Sequence, residues 1–188
     1  MNKLLTMAFA VATITACAAP VSNERNEKTV FVTSESFSGN LGGLKGADDK
    51  CQSQVDSPES IVPSGTYLAW LSDGTDSPDT RFTKSSHPYV LPDGTKIADD
   101  YKDLTDGDIQ NVINIDFTGK PFGQQDFWSA TDSDGTSAQS FLTCTGWKDP
   151  ITNARGMIGS TVHTSTLWST KSQKRCGSGR GRLVCFQQ

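Results

Sequence analysis

The chain has 188 residues, with 17 Lys and Arg against 21 Asp and Glu, and therefore a formal net charge of −4. This length suits a single domain, and the acidic balance argues against nucleic-acid binding, which favours basic surfaces. Gly, Asp, Ser and Thr are frequent and long helical patterns are absent, so the composition predicts a loop-rich fold with short strands.

The N-terminus has the pattern of an export signal. Lys3 is followed by an apolar stretch at residues 4–14, which is too short to span a bilayer because spanning takes ~20 apolar residues. The run ITAC at residues 14–17 is similar to a bacterial lipobox, in which the cysteine receives the lipid. We therefore expect residues 1–16 to be a signal peptide and Cys17 to be the lipidation site.

Lipidation at this point predicts a protein anchored in the cell envelope. Residues 17–28 are polar and lack apolar periodicity, which is typical of a tether, so the domain is expected at residues 29–188. Ala18 follows the cysteine, and by similarity to Gram-negative lipoprotein sorting a residue other than Asp there favours the outer membrane. The alternative is ordinary signal cleavage after Ala18 or Ala19, because small residues fill that region too.

The first half of the domain contains one clear helical pattern between two predicted strands. Residues 29–34, TVFVTS, predict a strand. Apolar residues then recur at steps of three and four, which predicts an amphipathic helix containing Leu44, Ala47, Cys51 and Val55. The outer positions of this helix are polar, namely Lys45, Asp48, Asp49, Lys50 and Gln52. Residues 65–71, GTYLAWL, carry apolar side chains on both faces, which favours a central strand.

The rest of the chain predicts short elements separated by turns. Ser77 and Pro78 predict the N-cap and first position of a short helix ending near Phe82. The run PDG at residues 92–94 predicts a hairpin. Four further strands are expected, at residues 126–131, 141–147, 167–169 and 182–186. One or two early helices followed by many short strands indicate an α+β fold.

The cysteine count supports export. The chain has five cysteines, and an odd number leaves one thiol to explain. Lipidation of Cys17 accounts for that one and leaves an even set for two disulfides, Cys51, Cys144, Cys176 and Cys185. Residue spacing alone allows three pairings of four cysteines, and stable disulfides are typical of proteins outside the cytosol.

Several segments together resemble the C-type-lectin-like fold, and more closely its endostatin-type branch and an uncharacterised bacterial family with that domain. These segments are residues 31–34, 39–44, 47–51, 65–72, 144–147 and 182–186. The resemblance covers roughly residues 29–188. It implies that Cys51 on the helix pairs with Cys185 on the last strand, and that Cys144 pairs with Cys176.

The chain also departs from those relatives at their metal sites. Calcium-dependent sugar-binding lectins use Glu-Pro-Asn or Gln-Pro-Asp together with Trp-Asn-Asp, and none of these triplets occurs here. Trp168 begins the run WST in a comparable place without a carboxylate, and the N-terminal histidines of the endostatin zinc site are missing. We therefore expect no cofactor. Ca²⁺ stays an alternative because its preferred hard oxygens are available at Asp99, Asp100, Asp103, Asp106, Asp108, Asp132 and Asp134, although turns and solvated loops explain these residues more simply.

Basic residues concentrate near the C-terminus. From Pro150 to Gln188 the sequence has six Lys and Arg and no acidic residue. Guanidinium and ammonium groups bind sulfate, phosphate or carboxylate, so the candidate ligand-binding residues are Lys171, Lys174, Arg175 and Arg180, with Trp168 as an exposed ring for sugar stacking. The alternatives are a plain solvated loop and neutralisation by the acidic part of the chain. Core packing is the expected role of the other tryptophans, Trp70, Trp128 and Trp147.

The function expected from these features is a non-enzymatic ligand-binding module of the bacterial cell envelope, recognising glycans or other acidic ligands, with a host or envelope protein as another possible partner. The alternative is a structural envelope lipoprotein that contacts only proteins. A hydrolase acting on glycans or the cell wall is the third hypothesis. It lacks sequence support because His87 and His163, the two histidines, fall in no catalytic motif.

Overall fold

The computed structural model describes residues 26–148 and 153–188. The expected signal peptide, Cys17 and most of the tether lie outside these residues. The strands described are β1 (Lys28–Val32), β2 (Tyr67–Ala69), β3 (Tyr89–Val90), β4 (Lys96–Ala98), β5 (Asp126–Trp128), β6 (Arg155–Ser160), β7 (Ser172–Arg175) and β8 (Val184–Gln187). The α-helices are α1 (Gly43–Val55), α2 (Pro78–Arg81) and α3 (Tyr101–Leu104), and a 3-10 helix spans Thr166–Trp168. This mixture confirms the α+β class.

A five-stranded sheet brings the two ends of the domain together. Its strand order is β2-β8-β1-β3-β4, in which β1 and β3 run parallel and the other pairs antiparallel. Val30 lies opposite Phe186, and Val32 lies opposite Val184. A second sheet, with the order β5-β6-β7, is antiparallel throughout.

Residue alternation places a separate apolar layer on each face of the larger sheet. Phe31 and Cys185 belong to the layer shared with α1, whereas Val30, Val184 and Phe186 belong to the opposite layer. Side chains of successive strand residues point to opposite faces, and here both faces are covered. Every strand residue from Val184 to Phe186 is therefore apolar and buried.

The long helix agrees with its sequence pattern. Gly42, the N-cap, and Gly43, the first residue of α1, have φ values of 86° and 80°, a left-handed conformation that glycine adopts at little cost. Ala47 and Cys51 are fully buried on the side facing the sheet. The sulfur of Cys51 is bonded to that of Cys185 on β8, across 134 residues of sequence.

The second disulfide also follows the pairing that the resemblance implied. Cys144 is bonded to Cys176, 32 residues away, and both residues are fully buried. The first disulfide joins helix to sheet, and the second joins the segment before residue 148 to the end of β7.

The position of β2 differs from the sequence prediction. This strand lies at the edge of its sheet, so the expectation of a central strand is wrong. Its faces are nevertheless apolar because α1 packs against one and Trp70 contributes to the buried cluster on the other.

The predicted strands at residues 141–147 and 167–169 are also wrong. From Cys144 to Trp147 all four residues have positive φ, between 49° and 66°, and the N–H of Trp147 donates to the carbonyl of Thr143. This is a left-handed turn, held in place by the Cys144 disulfide. The apolar residues of the other segment, Leu167 and Trp168, belong instead to the 3-10 helix.

Candidate functional site

The smaller sheet contains an opposed pair of exposed arginines. Arg155 on β6 lies directly opposite Arg175 on β7, and both side chains are exposed. Like charges at opposed positions of neighbouring strands destabilise a sheet. Neither arginine takes part in an ion pair with another described residue, so no carboxylate within residues 26–148 and 153–188 offsets these two positive charges.

A third exposed arginine follows in the connection from β7 to β8. The guanidinium of Arg180 donates to the backbone carbonyl of Ser36 at 2.6 Å. Because a carbonyl group is neutral, this hydrogen bond does not offset the positive charge of Arg180. Lys174 reaches the same connection, since its Nζ lies 3.2 Å from the carbonyl oxygen of Arg180. We call Arg155, Arg175 and Arg180 the arginine edge.

The two predicted lysines are placed differently, because both contact the half-buried carboxylate of Asp126. Nζ of Lys171 lies 3.0 Å from Oδ1 of Asp126, and Nζ of Lys174 lies 2.6 Å from Oδ2. Partial burial alone would raise the pKa of Asp126, but hydrogen bonds and charge from Lys174 and Lys171 outweigh it and hold the pKa below its ordinary value. The acidic and basic parts of the chain therefore interleave here, and the single carboxylate of Asp126 offsets one of the two lysine charges.

Trp168 is not an exposed stacking ring. Only 1 % of its surface is exposed, and its ring centroid lies 4.8 Å from that of Trp70. The expectation that it contacts a ligand on the surface is corrected accordingly, because the 3-10 helix turns its ring into the core. Its indole N–H has no hydrogen-bond partner among the described residues.

The other tryptophans form the core, as expected. Trp70, Trp128 and Trp147 are fully buried. Their indole N–H groups donate to the Ser169 hydroxyl, the Phe37 carbonyl and the Ser72 carbonyl. Such bonds remove the cost of burying a polar indole nitrogen.

The acidic residues proposed for Ca²⁺ are used within turns. Asp100 caps α3 by accepting the N–H of Asp103, and Asp103 in turn accepts the N–H of Asp99. Asp134 accepts the N–H of Thr136. No group of three or more His, Cys, Asp and Glu side chains suited to a metal occurs within residues 26–148 and 153–188.

The histidines stand apart from any catalytic arrangement in the described part of the chain. His87 is exposed and His163 is half-buried. Neither imidazole has a hydrogen bond to a described side chain, whereas a general base is normally oriented by such a bond. Within residues 26–148 and 153–188, no helix has the length and apolar character needed to cross a membrane.

Sequence reasoning missed Arg155 as a site residue. Residues 155–160, RGMIGS, do not alternate in polarity, so no strand was predicted there and its pairing with β7 was not foreseen. The absence of acidic residues after Pro150 was the available signal, but it does not say which cations face solvent.

Comparison with protein families gives one result. The model of the family described as "Protein of unknown function (DUF1554)" matches residues 34–164. A search of curated proteins returned no significant match. The matched region contains α1, the left-handed turn and Arg155, and it ends before Arg175.

Proposed function

We propose that this chain, which belongs to the DUF1554 family of proteins of unknown function, is an exported envelope protein that binds acidic glycans through the arginine edge. The observation that carries the proposal is the opposed pair Arg155 and Arg175, exposed and without a carboxylate partner among the described residues. Two adjacent guanidinium groups offer parallel N–H donors that match carboxylate and sulfate oxygens. An acidic polysaccharide supplies such groups at regular intervals.

Export to the envelope is supported by two independent features. Both disulfides are buried and close within the domain, and such bonds persist in oxidising compartments. The lipobox-like run ending at Cys17 supplies the proposed anchor. We further propose attachment to the outer membrane, on the identity of Ala18.

Within the α+β class, we propose that the domain has a C-type-lectin-like fold. The features that support it are a long early helix disulfide-bonded to the last strand and the adjacent first and last strands. Fold alone does not determine activity. The non-enzymatic role we propose rests on the lack of a recognisable catalytic arrangement in the part of the chain that the structure describes, and not on the fold.

The test is glycan binding by the intact, lipid-free domain. The double variant Arg155→Ser/Arg175→Ser should bind polygalacturonate at least tenfold more weakly than the wild type, and the wild-type affinity should fall as salt rises. The control is Lys102→Ser/Lys120→Ser, which removes the same charge from two exposed residues outside the arginine edge. Absence of wild-type binding, or an equal loss in both double variants, would refute the proposal.

A structural role is favoured by a different observation. Phe141 is 75 % exposed, in a segment joined to β6 through the bond from the Met157 N–H to the Leu142 carbonyl. A large aromatic ring in water is a common anchor of protein interfaces. If this role is the correct one, crosslinking in cell envelopes will yield one dominant protein partner, and Phe141→Ser will abolish that crosslink.

A further inference from the structure

A cleft lies between the segment after β1 and the second half of α1. Its volume is about 320 Å³, which falls at the lower end of the range for small-ligand sites. Two aromatic rings line it, half-buried Phe37 and buried Phe117. The polar residues around them are Ser34, Glu35, Lys50, Ser53, Gln54 and Ser57.

Gln54 offers unused hydrogen-bond donors at this cleft. The residue is 8 % exposed, and its Oε1 accepts the backbone N–H of Ser34 at 3.0 Å. Because Oε1 of Gln54 faces the Ser34 N–H, the Nε2 group of the same side-chain amide points the other way, and its two N–H donors have a fixed orientation. Nε2 donates to no protein atom in the described residues, and it is not one of their fully buried unpaired atoms, so its donors are open to the cleft that Gln54 lines.

Lys50 adds a positive charge beside the aromatic wall. Its Nζ donates to the carbonyls of Leu41 and Gly46 at 3.0 and 3.3 Å. An ammonium group has three donors, so one is left for a ligand. The same Nζ lies 5.6 Å from the ring centroid of Phe37.

The cleft adjoins the arginine edge through the backbone. Arg180 binds the carbonyl of Ser36, and the neighbours of Ser36 in sequence, Glu35 and Phe37, both line the cleft. Phe37 also pairs with Gly181, since each backbone N–H donates to the other's carbonyl. A ligand held by Arg180 would therefore lie next to the cleft opening.

We propose that this cleft receives one sugar ring of an acidic saccharide whose carboxylates pair with the arginine edge. This inference rests on the proposed function. The apolar face of a pyranose packs on Phe37, the amide donors of Gln54 bind ring hydroxyls, and Arg180 pairs with the carboxylate. Aromatic walls with a few oriented polar groups are the usual composition of a small-ligand site.

The test compares three probes on the lipid-free domain by calorimetry. Trigalacturonate carries rings and carboxylates, tripolyphosphate carries charge without a sugar, and maltotriose carries rings without charge. The wild type should bind trigalacturonate more tightly than tripolyphosphate. The variant Phe37→Leu keeps the apolar volume and removes the aromatic face, and we expect it to weaken trigalacturonate binding about fivefold while leaving tripolyphosphate unchanged.

A second variant addresses the amide donors directly. Gln54→Glu keeps an oxygen for the Ser34 N–H and removes the Nε2 donors. Because it also adds a negative charge that repels both anions, we expect it to weaken trigalacturonate binding more than tripolyphosphate binding. Phe141→Leu is the matched control, an exposed ring outside the cleft. Thermal unfolding checks that each variant is folded, and the side-chain amide resonances of Gln54 should shift on adding trigalacturonate.

The two proposals fail in different ways. Trigalacturonate binding that needs Arg155 and Arg175 but is unchanged in both cleft variants, with no shift of the Gln54 resonances, overturns the cleft alone. Equal weakening of trigalacturonate and tripolyphosphate by Phe37→Leu also overturns it. If the wild type binds neither trigalacturonate nor tripolyphosphate, the proposed function is overturned together with this inference.

Discussion

The carboxylate of Asp48 on α1 accepts the backbone N–H of Ala69 on β2 at 2.9 Å. Because β2 is an edge strand, this N–H faces away from β8 and has no strand partner. Gln52, one helical turn later, accepts the N–H of Tyr67 in the same way at 3.2 Å. Two side chains of the helix thus cover an open sheet edge, which would otherwise be available to pair with another chain.

Loss of this cover should destabilise the domain. Asp48 also pairs with the largely buried guanidinium of Arg81, so Asp48→Ala leaves both a backbone N–H and a cation without their acceptor. We expect a fall in the free energy of unfolding of about 2–4 kcal/mol, measured by denaturant titration. Asp49→Ala removes the neighbouring carboxylate, whose pair with Lys45 is exposed, and should cost ~0.5 kcal/mol or less. Equal effects of the two variants would contradict this account.

The two disulfides should differ in their contribution to stability. In the chain-entropy relation the crosslink spanning 134 residues contributes about 5 kcal/mol and the one spanning 32 residues about 3.7 kcal/mol. We therefore expect Cys51→Ser/Cys185→Ser to lower the free energy of unfolding more than Cys144→Ser/Cys176→Ser does. Denaturant titration of both variants measures this, and the reverse order would show that native-state interactions of the shorter loop dominate.

A substitution in the left-handed turn should raise the stability of the domain. Thr145 is exposed with φ 57°, a conformation that a side chain with a Cβ adopts at some cost and glycine adopts freely. Thr145→Gly should raise the free energy of unfolding by up to about 1 kcal/mol. Thr83→Gly, at an exposed threonine without positive φ, should instead lower it, because glycine there only adds freedom to the unfolded chain.

Acid should weaken the interaction around Asp126. The pKa of this carboxyl is below its ordinary value in the folded protein, so its stabilisation is present above about pH 4 and is lost progressively as pH falls through the folded pKa. Asp126→Asn should therefore have a lower free energy of unfolding than the wild type at neutral pH. This difference should shrink by about pH 3, where the wild-type carboxylate is itself becoming protonated. Removing the partners instead, in Lys171→Met/Lys174→Met, should reduce the same pH dependence. An unchanged pH profile in both variants would contradict the assignment.

The same carboxylate should restrain anion binding. Asp126→Asn releases Lys171 and Lys174 from their ion pairs, which adds positive charge beside the arginine edge. We expect it to strengthen polygalacturonate binding a few-fold at low salt, with the gain vanishing at high salt. Asp93→Asn makes the same charge change in an exposed turn and should leave the affinity unchanged.

Local patterns predicted the elements whose causes are local. The spacing of Ala47 and Cys51 indicated α1, and Ser77 with Pro78 indicated the start of α2, where the structure has a capping box. The turn around Gly94 was likewise predicted, and it connects β3 and β4 as an antiparallel hairpin. Each of these depends on neighbours within a few residues, so the sequence carries the necessary information.

Strands β6 and β7 were not predictable in that way. Gly156 and Gly181 pack against Trp128 so closely that a Cβ would lie 2.9 Å and 3.1 Å from its ring. Gly156 lies in β6, which pairs with β5 on one side and β7 on the other, and Gly181 lies in the connection from β7 to β8. Glycine read alone indicates a turn, so β6 and β7 were missed together with the pairing of Arg155 and Arg175, whereas β5, Arg175 and Arg180 were predicted.

The amino-acid sequence by itself determined the α+β class, the single long helix and, through its similarity to a known domain, the pairing of the four cysteines. Only the tertiary structure decided that Trp168 is buried, that Asp48 covers a sheet edge, and which of the C-terminal cations pair with Asp126. The reason is physical: exposure and charge pairing are properties of residues brought together from distant parts of the chain, as Asp126 and Lys171 are. A local pattern of residues does not show which distant side chains will be in contact.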